Sequence, residues 1–117
     1  MSFKLAHRDD CEASGNWRLV RRTLELRAFG LNLVELPAGE QIPEHDETER
    51  DHEEVFYVID GTATLVVDGE EHPAPAGTFI RLDPEHTRTV RNDGDRPAGV
   101  LIASAPRSSG YEPLEWA

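Results

Sequence analysis

A chain of 117 residues is the size of one domain, and its 23 acidic and 12 basic side chains leave a net charge of −11 at neutral pH. Nucleic acids and anionic membrane surfaces are therefore excluded as expected partners, because both repel an acidic protein. The single cysteine, Cys11, has no partner for an internal disulfide, and no apolar run approaches the roughly 18 residues of a membrane span. We expect a cytoplasmic protein without a signal peptide.

The apolar segments are short, rich in β-branched and aromatic residues, and separated by Gly or Pro. Residues 1–30 are predicted to form an arm and strands, residues 31–105 a barrel, and residues 106–117 an extended tail, all within one domain. The predicted strands lie in "WRLVRR", "LNLVEL", "EVFYVI", "TATLVV", "TFIRLD", "RTVRN" and "AGVLIAS". This spacing, without a convincing amphipathic helix, is typical of an all-β sandwich or barrel.

Turn residues and the tail add two local predictions. Asp68-Gly69 stands between "TATLVV" and "EEHPAP", and Asp-Gly between two strands predicts a tight hairpin. In the tail, Tyr111, Leu114 and Trp116 indicate that this segment packs on another part of the protein.

Alternation along the strands predicts which side chains face inward. In "EEVFYVI", Glu54, Phe56 and Val58 share one face, and in "RTVRN", Arg88 and Val90 do so. We expect these five residues to line a pocket or bind a ligand. A carboxylate facing the interior needs a metal or a base as its partner, because burying it unpaired costs several kcal/mol.

The stretch "EHDETERDHEE" before this strand contains seven acids and two histidines among eleven residues. His45 and Glu47 are one residue apart, so in an extended chain they point the same way. Imidazole and carboxylate together suit Zn, Mn, Fe or Ni. The alternative is an acidic loop that is simply solvated.

The sequence resembles the cupin family of small jelly-roll β-barrels, whose first motif reads G-x5-H-x-H-x3,4-E-x6-G. Here Gly39 is followed by five residues and His45, and Glu54 by six residues and Gly61. Glu47 takes the place of the second histidine, and its spacing to Glu54 is two or three residues longer than the pattern.

The second family motif reads G-x5-P-x-G-x2-H-x3-N, and Gly77 and Asn92 have the separation of its ends. The position of its histidine holds Arg88, with His86 two residues earlier. The resemblance covers about residues 33–103. It implies a single-domain jelly-roll barrel and a homodimer, which would cover open sheet edges.

In the family, histidines and a glutamate from the two motifs bind a divalent ion. The resemblance therefore implies His45, Glu47, Glu54 and His86 as metal ligands, in a site that departs from the family pattern. Arg88 stays charged and cannot ligate a metal. We expect it to pair with Glu54 or Glu47, or to bind the carboxylate of a ligand.

The first interpretation is a small-molecule-binding cupin with a polar, carboxylate-rich pocket, whose metal is either absent or held in an unusual His/Glu set. The alternatives are a metal-dependent dioxygenase or isomerase of small oxygenated substrates and a non-catalytic sensing module. No nucleophilic triad is visible, so no catalytic residue is assigned. His7 and His72 are expected at the surface, and His52 is open between loop and pocket.

Overall fold

The computed structural model describes residues 2–117, which form strands, one short helix and a single 3-10 turn at Arg8–Asp10. The helix, α1, covers Val20–Leu24. The strands are β1 (Ala13–Ser14), β2 (Trp17–Arg18), β3 (Gly30–Leu36), β4 (His52–Asp60), β5 (Thr62–Val67), β6 (Glu70–Pro75), β7 (Phe79–Leu82), β8 (Arg88–Arg91) and β9 (Ala98–Pro106). Within residues 2–117, no helix has the length and apolar character needed to cross a membrane.

The strands form two antiparallel sheets. One has the order β1-β2-β3-β9-β4-β7, and the other has the order β6-β5-β8. Strand β4 lies between β9 and β7, with Glu54 opposite Ser104 on one side and Leu82 on the other. The predicted all-β class is confirmed, because both layers of the fold consist of strands.

The core lies between the two sheets and is filled by alternate residues of the strands. Along β4, Glu54, Phe56 and Val58 are buried, whereas the residues between them are more exposed. The apolar core consists of Val34, Leu36, Ile42, Phe56, Val58, Ala63, Leu65, Ala74, Leu82, Val90, Val100 and Ile102. Packing of this kind follows from the two-residue period of a strand that has one face covered.

The hairpin predicted at Asp68-Gly69 is confirmed. These two residues connect β5 to β6 and have φ values of 52° and 81°. Two consecutive positive φ angles match the right-handed twist of the flanking strands, and Asp and Gly tolerate them best.

The strand predicted in "WRLVRR" is wrong beyond its first residues. Only Trp17–Arg18 pair with β3, and the chain then turns into α1. The helix ends at Glu25, which has a left-handed φ of 58° and whose N–H is bonded to the carbonyls of Arg21 and Arg22. Leucine and arginine are good helix formers, so this local preference prevails where the chain no longer pairs with β3.

The prediction that the tail packs on the protein is also wrong within this chain. Tyr111, Leu114 and Trp116 are exposed. The backbone hydrogen bonds of residues 108–117 are local, such as those from Ser109 N to the Pro106 carbonyl and from Ala117 N to the Leu114 carbonyl. The tail therefore does not bury these three side chains against the rest of the described chain.

Candidate functional site

Three side chains with metal-ligating atoms meet at one end of the sandwich. His45, Glu47 and Glu54 each offer one atom, and these atoms all lie within 4.8 Å of one another. His45 Nε2 is 3.4 Å from Glu47 Oε1 and 3.8 Å from Glu54 Oε1. Among the four residues for which the sequence implies a role as metal ligand, the structure brings these three together.

The backbone holds the loop residues of this cluster in place. His45 and Arg88 exchange two hydrogen bonds, of 3.0 Å from His45 N to the Arg88 carbonyl and 2.8 Å in the other direction. Glu47 N donates to the carbonyl of Pro84 at 3.0 Å. The acidic loop before β4 is therefore fastened to β8 and to the turn that precedes it, which aims its side chains at Glu54.

The ring of His45 is oriented by a backbone carbonyl. Its Nδ1 lies 2.9 Å from the carbonyl oxygen of Pro43, so Nδ1 carries a proton and donates it. The Glu54 carboxylate raises the pKa of His45 above its usual value, with the Pro43 carbonyl and Glu47 adding to the rise and burial opposing it. The free nitrogen, Nε2, is directed at two carboxylates.

Arg88 lies behind this cluster, entirely withdrawn from solvent. Its Nη1 donates to Glu54 Oε1 at 3.3 Å and its Nη2 to the Asp83 carbonyl at 2.6 Å. Its Nε has no hydrogen-bond partner within residues 2–117. The structure shows the expected ion pair of Arg88 with Glu54. The other expected role, binding the carboxylate of a ligand, does not fit a side chain that is fully buried.

His86 does not join the cluster. Its Nδ1 lies 2.6 Å from Asp68 Oδ2, on the turn between β5 and β6, and about half of its side chain is exposed. The Asp68 carboxylate also accepts the Thr87 N–H at 2.9 Å. The turn before β8 directs His86 away from Glu54. The spacing of residues along the sequence does not reveal this orientation. His7 and His72 have exposed side chains, of 68% and 48% respectively.

A cavity of about 380 Å³ opens above the cluster. Its wall comprises Trp17, Arg21, Gly30, Leu31, Asn32, His45, Glu47, Arg50, His52, Glu54, Phe56, Ile102 and Ser104. A volume of this size suits a small organic ligand. Of the five residues expected to line a pocket or bind a ligand, Glu54 and Phe56 are in the wall. Val58, Val90 and Arg88 are buried in the interior, because the space between the sheets is filled at their depth.

Trp17, Arg21 and Arg50 also line this cavity, although no motif in the sequence predicts it. Trp17 and Arg21 come from the N-terminal region, where β2 and α1 lie beside β3, and Arg50 comes from the turn before β4. The segment "WRLVRR" holds three of the chain's twelve bases, and this local concentration is the signal that could have indicated a basic patch.

The cluster fits a divalent ion by the chemistry of its donors, although its composition is unusual. One imidazole and two carboxylates are ligands that Zn, Mn, Fe and Ni accept. The hydrogen bond from Nδ1 to a backbone carbonyl is the usual support of a metal-binding histidine. The Arg88 guanidinium opposes the ion, because it already neutralises part of the charge of Glu54.

A family model of the cupin domain matches residues 32–104 of the chain. No sequence among the curated proteins matches it. A cupin protein from Bacteroides fragilis superposes with a TM-score of 0.82 at 20% identity, covering 99% of this chain and 93% of that one.

Two further solved structures have names that refer to enzymes. A sugar phosphate isomerase from a cupin superfamily of Silicibacter pomeroyi has a TM-score of 0.67 and 22% identity, over 89% of this chain and 71% of that one. A protein described as a predicted oxalate decarboxylase from Thermotoga maritima has a TM-score of 0.61 and 19% identity, over 66% of this chain and 65% of that one. Likeness at this identity shows the fold alone. The match of the family model over most of the chain, together with the jelly-roll arrangement of its sheets, establishes that this protein belongs to the cupin family.

Proposed function

We propose that this cupin binds a small polar molecule in the pocket above His45, Glu47 and Glu54, and that these three side chains hold a divalent metal ion. The sequence suggests an unusual His/Glu set of ligands, and the orientation of the His45 ring supports it.

The orientation of His45 carries the proposal. A carbonyl oxygen only accepts, so the 2.9 Å contact with Pro43 requires the proton of the neutral ring to be on Nδ1. The lone pair of Nε2 would then face Oε1 of Glu47 and Oε1 of Glu54 at 3.4 Å and 3.8 Å. Three electron-rich atoms within 4.8 Å of one another repel each other unless a cation lies among them. That cation is either a proton on His45 or a metal ion.

The charges of the site permit either cation. Glu47 and Glu54 contribute two negative charges and Arg88 one positive charge, so a protonated His45 brings the group to neutrality. A divalent ion in place of this proton would leave a surplus positive charge next to the cavity. Such a surplus favours ligands with electron-rich oxygen atoms. When bound, the metal would supply a Lewis acid beside the ligand.

We propose binding and not a particular reaction. The enzymes named among the structural neighbours share the fold with this chain, and one fold hosts many chemistries. What supports the proposal is therefore the arrangement of this chain's own side chains around the cavity.

The test is metal binding by the parent and by two matched histidine variants. Protein freed of metal by a chelator is titrated with Mn²⁺ and Zn²⁺ in a calorimeter, and protein purified without a chelator is analysed for its metal content. We expect one ion per chain in the parent and in His86→Gln, and an affinity at least about tenfold weaker in His45→Gln, which loses a direct ligand. A parent that binds neither ion, or a His86→Gln variant as impaired as His45→Gln, contradicts the proposal.

A further inference from the structure

Two arginines from separate segments line the pocket above the cluster. Arg21 lies on α1 and Arg50 lies in the turn before β4, and both are in the wall of the cavity that Glu47 and Glu54 close from below. They are exposed, so their guanidinium groups are open to solvent and to a ligand. The pocket thus has positive charge at its rim and carboxylates at its floor.

Neither arginine has a carboxylate partner within residues 2–117. They share this with Arg27 and Arg96, although the chain has nearly twice as many acids as bases. Most of its arginines form ion pairs, as Arg91 does with Glu71 and Asp93. Within residues 2–117, the side chain of Arg21 donates one hydrogen bond, from Nη1 to the Leu26 carbonyl at 3.3 Å. A guanidinium has five N–H donors, so both groups retain donors that an oxyanion can accept.

The remaining wall of the cavity combines apolar side chains with the polar residues Asn32, His52 and Ser104. Trp17, Leu31, Phe56 and Ile102 surround the space between the rim and the floor. In sites for small organic ligands, apolar side chains contact the body of the ligand and polar groups set its orientation.

We propose that the ligand is a small organic anion, whose carboxylate or phosphate group is bound by Arg21 and Arg50 and whose apolar body lies against Trp17 and Ile102. The proposal rests on the proposed function only in that it takes this cavity as the binding site. Arg21 and Arg50 determine specificity: planar guanidinium groups bind oxyanions through two parallel hydrogen bonds. The anionic group stays at the rim because Arg21 and Arg50 supply the charge-assisted donors there. The opposite end of the ligand therefore points toward His45.

Nuclear magnetic resonance on the 13.1 kDa chain tests this directly. Three probes share a phenyl ring and differ in the attached group: benzoate, phenyl phosphate and the neutral, nearly isosteric benzamide. The signals to follow are the Nε–H groups of Arg21 and Arg50 and the indole N–H of Trp17. Arg27 and Arg96 serve as internal controls, because they also lack an ion pair in the described chain but lie outside this cavity.

We expect benzoate and phenyl phosphate to shift the signals of Arg21, Arg50 and Trp17 in a saturable manner, and benzamide to bind at least about tenfold more weakly. Arg21→Gln and Arg50→Gln should each weaken benzoate binding about tenfold, which corresponds to the loss of one charge-assisted contact. Arg27→Gln and Arg96→Gln should leave it unchanged. The anion with the higher affinity identifies whether Arg21 and Arg50 prefer a carboxylate or a phosphate group.

The proposal is overturned if neither anion shifts these signals, if Arg27 and Arg96 respond equally, or if benzamide binds as well as benzoate. Repeating the titrations after chelator treatment separates this result from that of the metal site. Localised shifts without metal support the anion proposal even where calorimetry finds no ion. Stoichiometric metal without localised shifts overturns the anion proposal alone.

Discussion

Nη1 of Arg88 lies 3.3 Å from Oε1 of Glu54, and the two side chains have exposed fractions of 0% and 8%. Arg88 belongs to β8 in the three-stranded sheet and Glu54 to β4 in the six-stranded sheet, so this ion pair connects the two layers of the sandwich. Desolvation offsets much of the attraction in such a pair, and its presence says little about net stability. Removing one partner, however, leaves a charge buried without compensation.

Replacing Arg88 by alanine should therefore destabilise the protein by about 3–5 kcal/mol, the usual cost of breaking a buried pair from one side. Urea denaturation followed by fluorescence measures the change in the free energy of unfolding. The double variant Arg88→Met with Glu54→Gln should recover much of this loss, since both charges are removed together. Arg96→Ala, at an exposed and unpaired position, should change stability by less than about 0.5 kcal/mol. An Arg88→Ala protein as stable as the parent would show that the pair has no structural role.

Arg88→His should strengthen metal binding. The change removes a permanent positive charge that is 3.3 Å from one of the three proposed ligands, and it supplies an imidazole at the position of the family's second-motif histidine. We expect the dissociation constant for Mn²⁺ or Zn²⁺ to fall by about tenfold or more, because a fixed positive charge beside a cation site weakens cation binding. Calorimetry on chelator-treated protein measures it. An affinity that is unchanged or weaker, in a variant whose fold is intact, argues against electrostatic opposition by Arg88.

The pair of Asp68 and His86 should affect stability on the acid side. The contact with His86, together with the N–H of Thr87, holds the pKa of Asp68 below its usual value. A carboxyl group whose pKa is lowered by folding stabilises the protein fully above the unfolded-state pKa, about 3.9. This contribution is lost as the pH falls through the lower folded-state pKa. Thermal unfolding should show Asp68→Asn less stable than the parent at pH 6, with the difference closing below about pH 4. A difference that stays constant from pH 6 to the acid limit would reject this linkage.

The homodimer remains a prediction. The family resemblance and the tendency of open sheet edges to pair both favour it, and β7 and β1 are the edge strands of the larger sheet. The exposed rings of Tyr111 and Trp116 add an apolar surface that a partner copy would cover. Light scattering should report twice the chain mass of 13.1 kDa at micromolar concentrations. A monomer mass across this range rules the dimer out.

Several features of the protein could be read from neighbouring residues alone. The alternation in "EEVFYVI" places Glu54, Phe56 and Val58 on one face, and all three are buried in the structure. Asp68-Gly69 predicts its hairpin because two positive φ angles are needed there. These predictions succeed because strand period and turn geometry depend on residues only a few positions apart. The family resemblance added the jelly-roll arrangement, which the family model and the solved structures support.

The composition of the site was decided by tertiary structure. His86 stands two residues before Arg88, yet the turn preceding β8 directs it to Asp68, while His45 reaches Glu54 through a loop fastened to β8. Arg21 and Arg50 are 29 positions apart and line one cavity. Helix α1 packs against β3, and the turn before β4 is joined to the end of β9 by the hydrogen bond from Arg107 N to the Asp51 carbonyl. Contacts of this kind depend on how distant segments pack around a shared core. No local pattern of residue types encodes that packing, because each segment adopts its position only in the presence of the others.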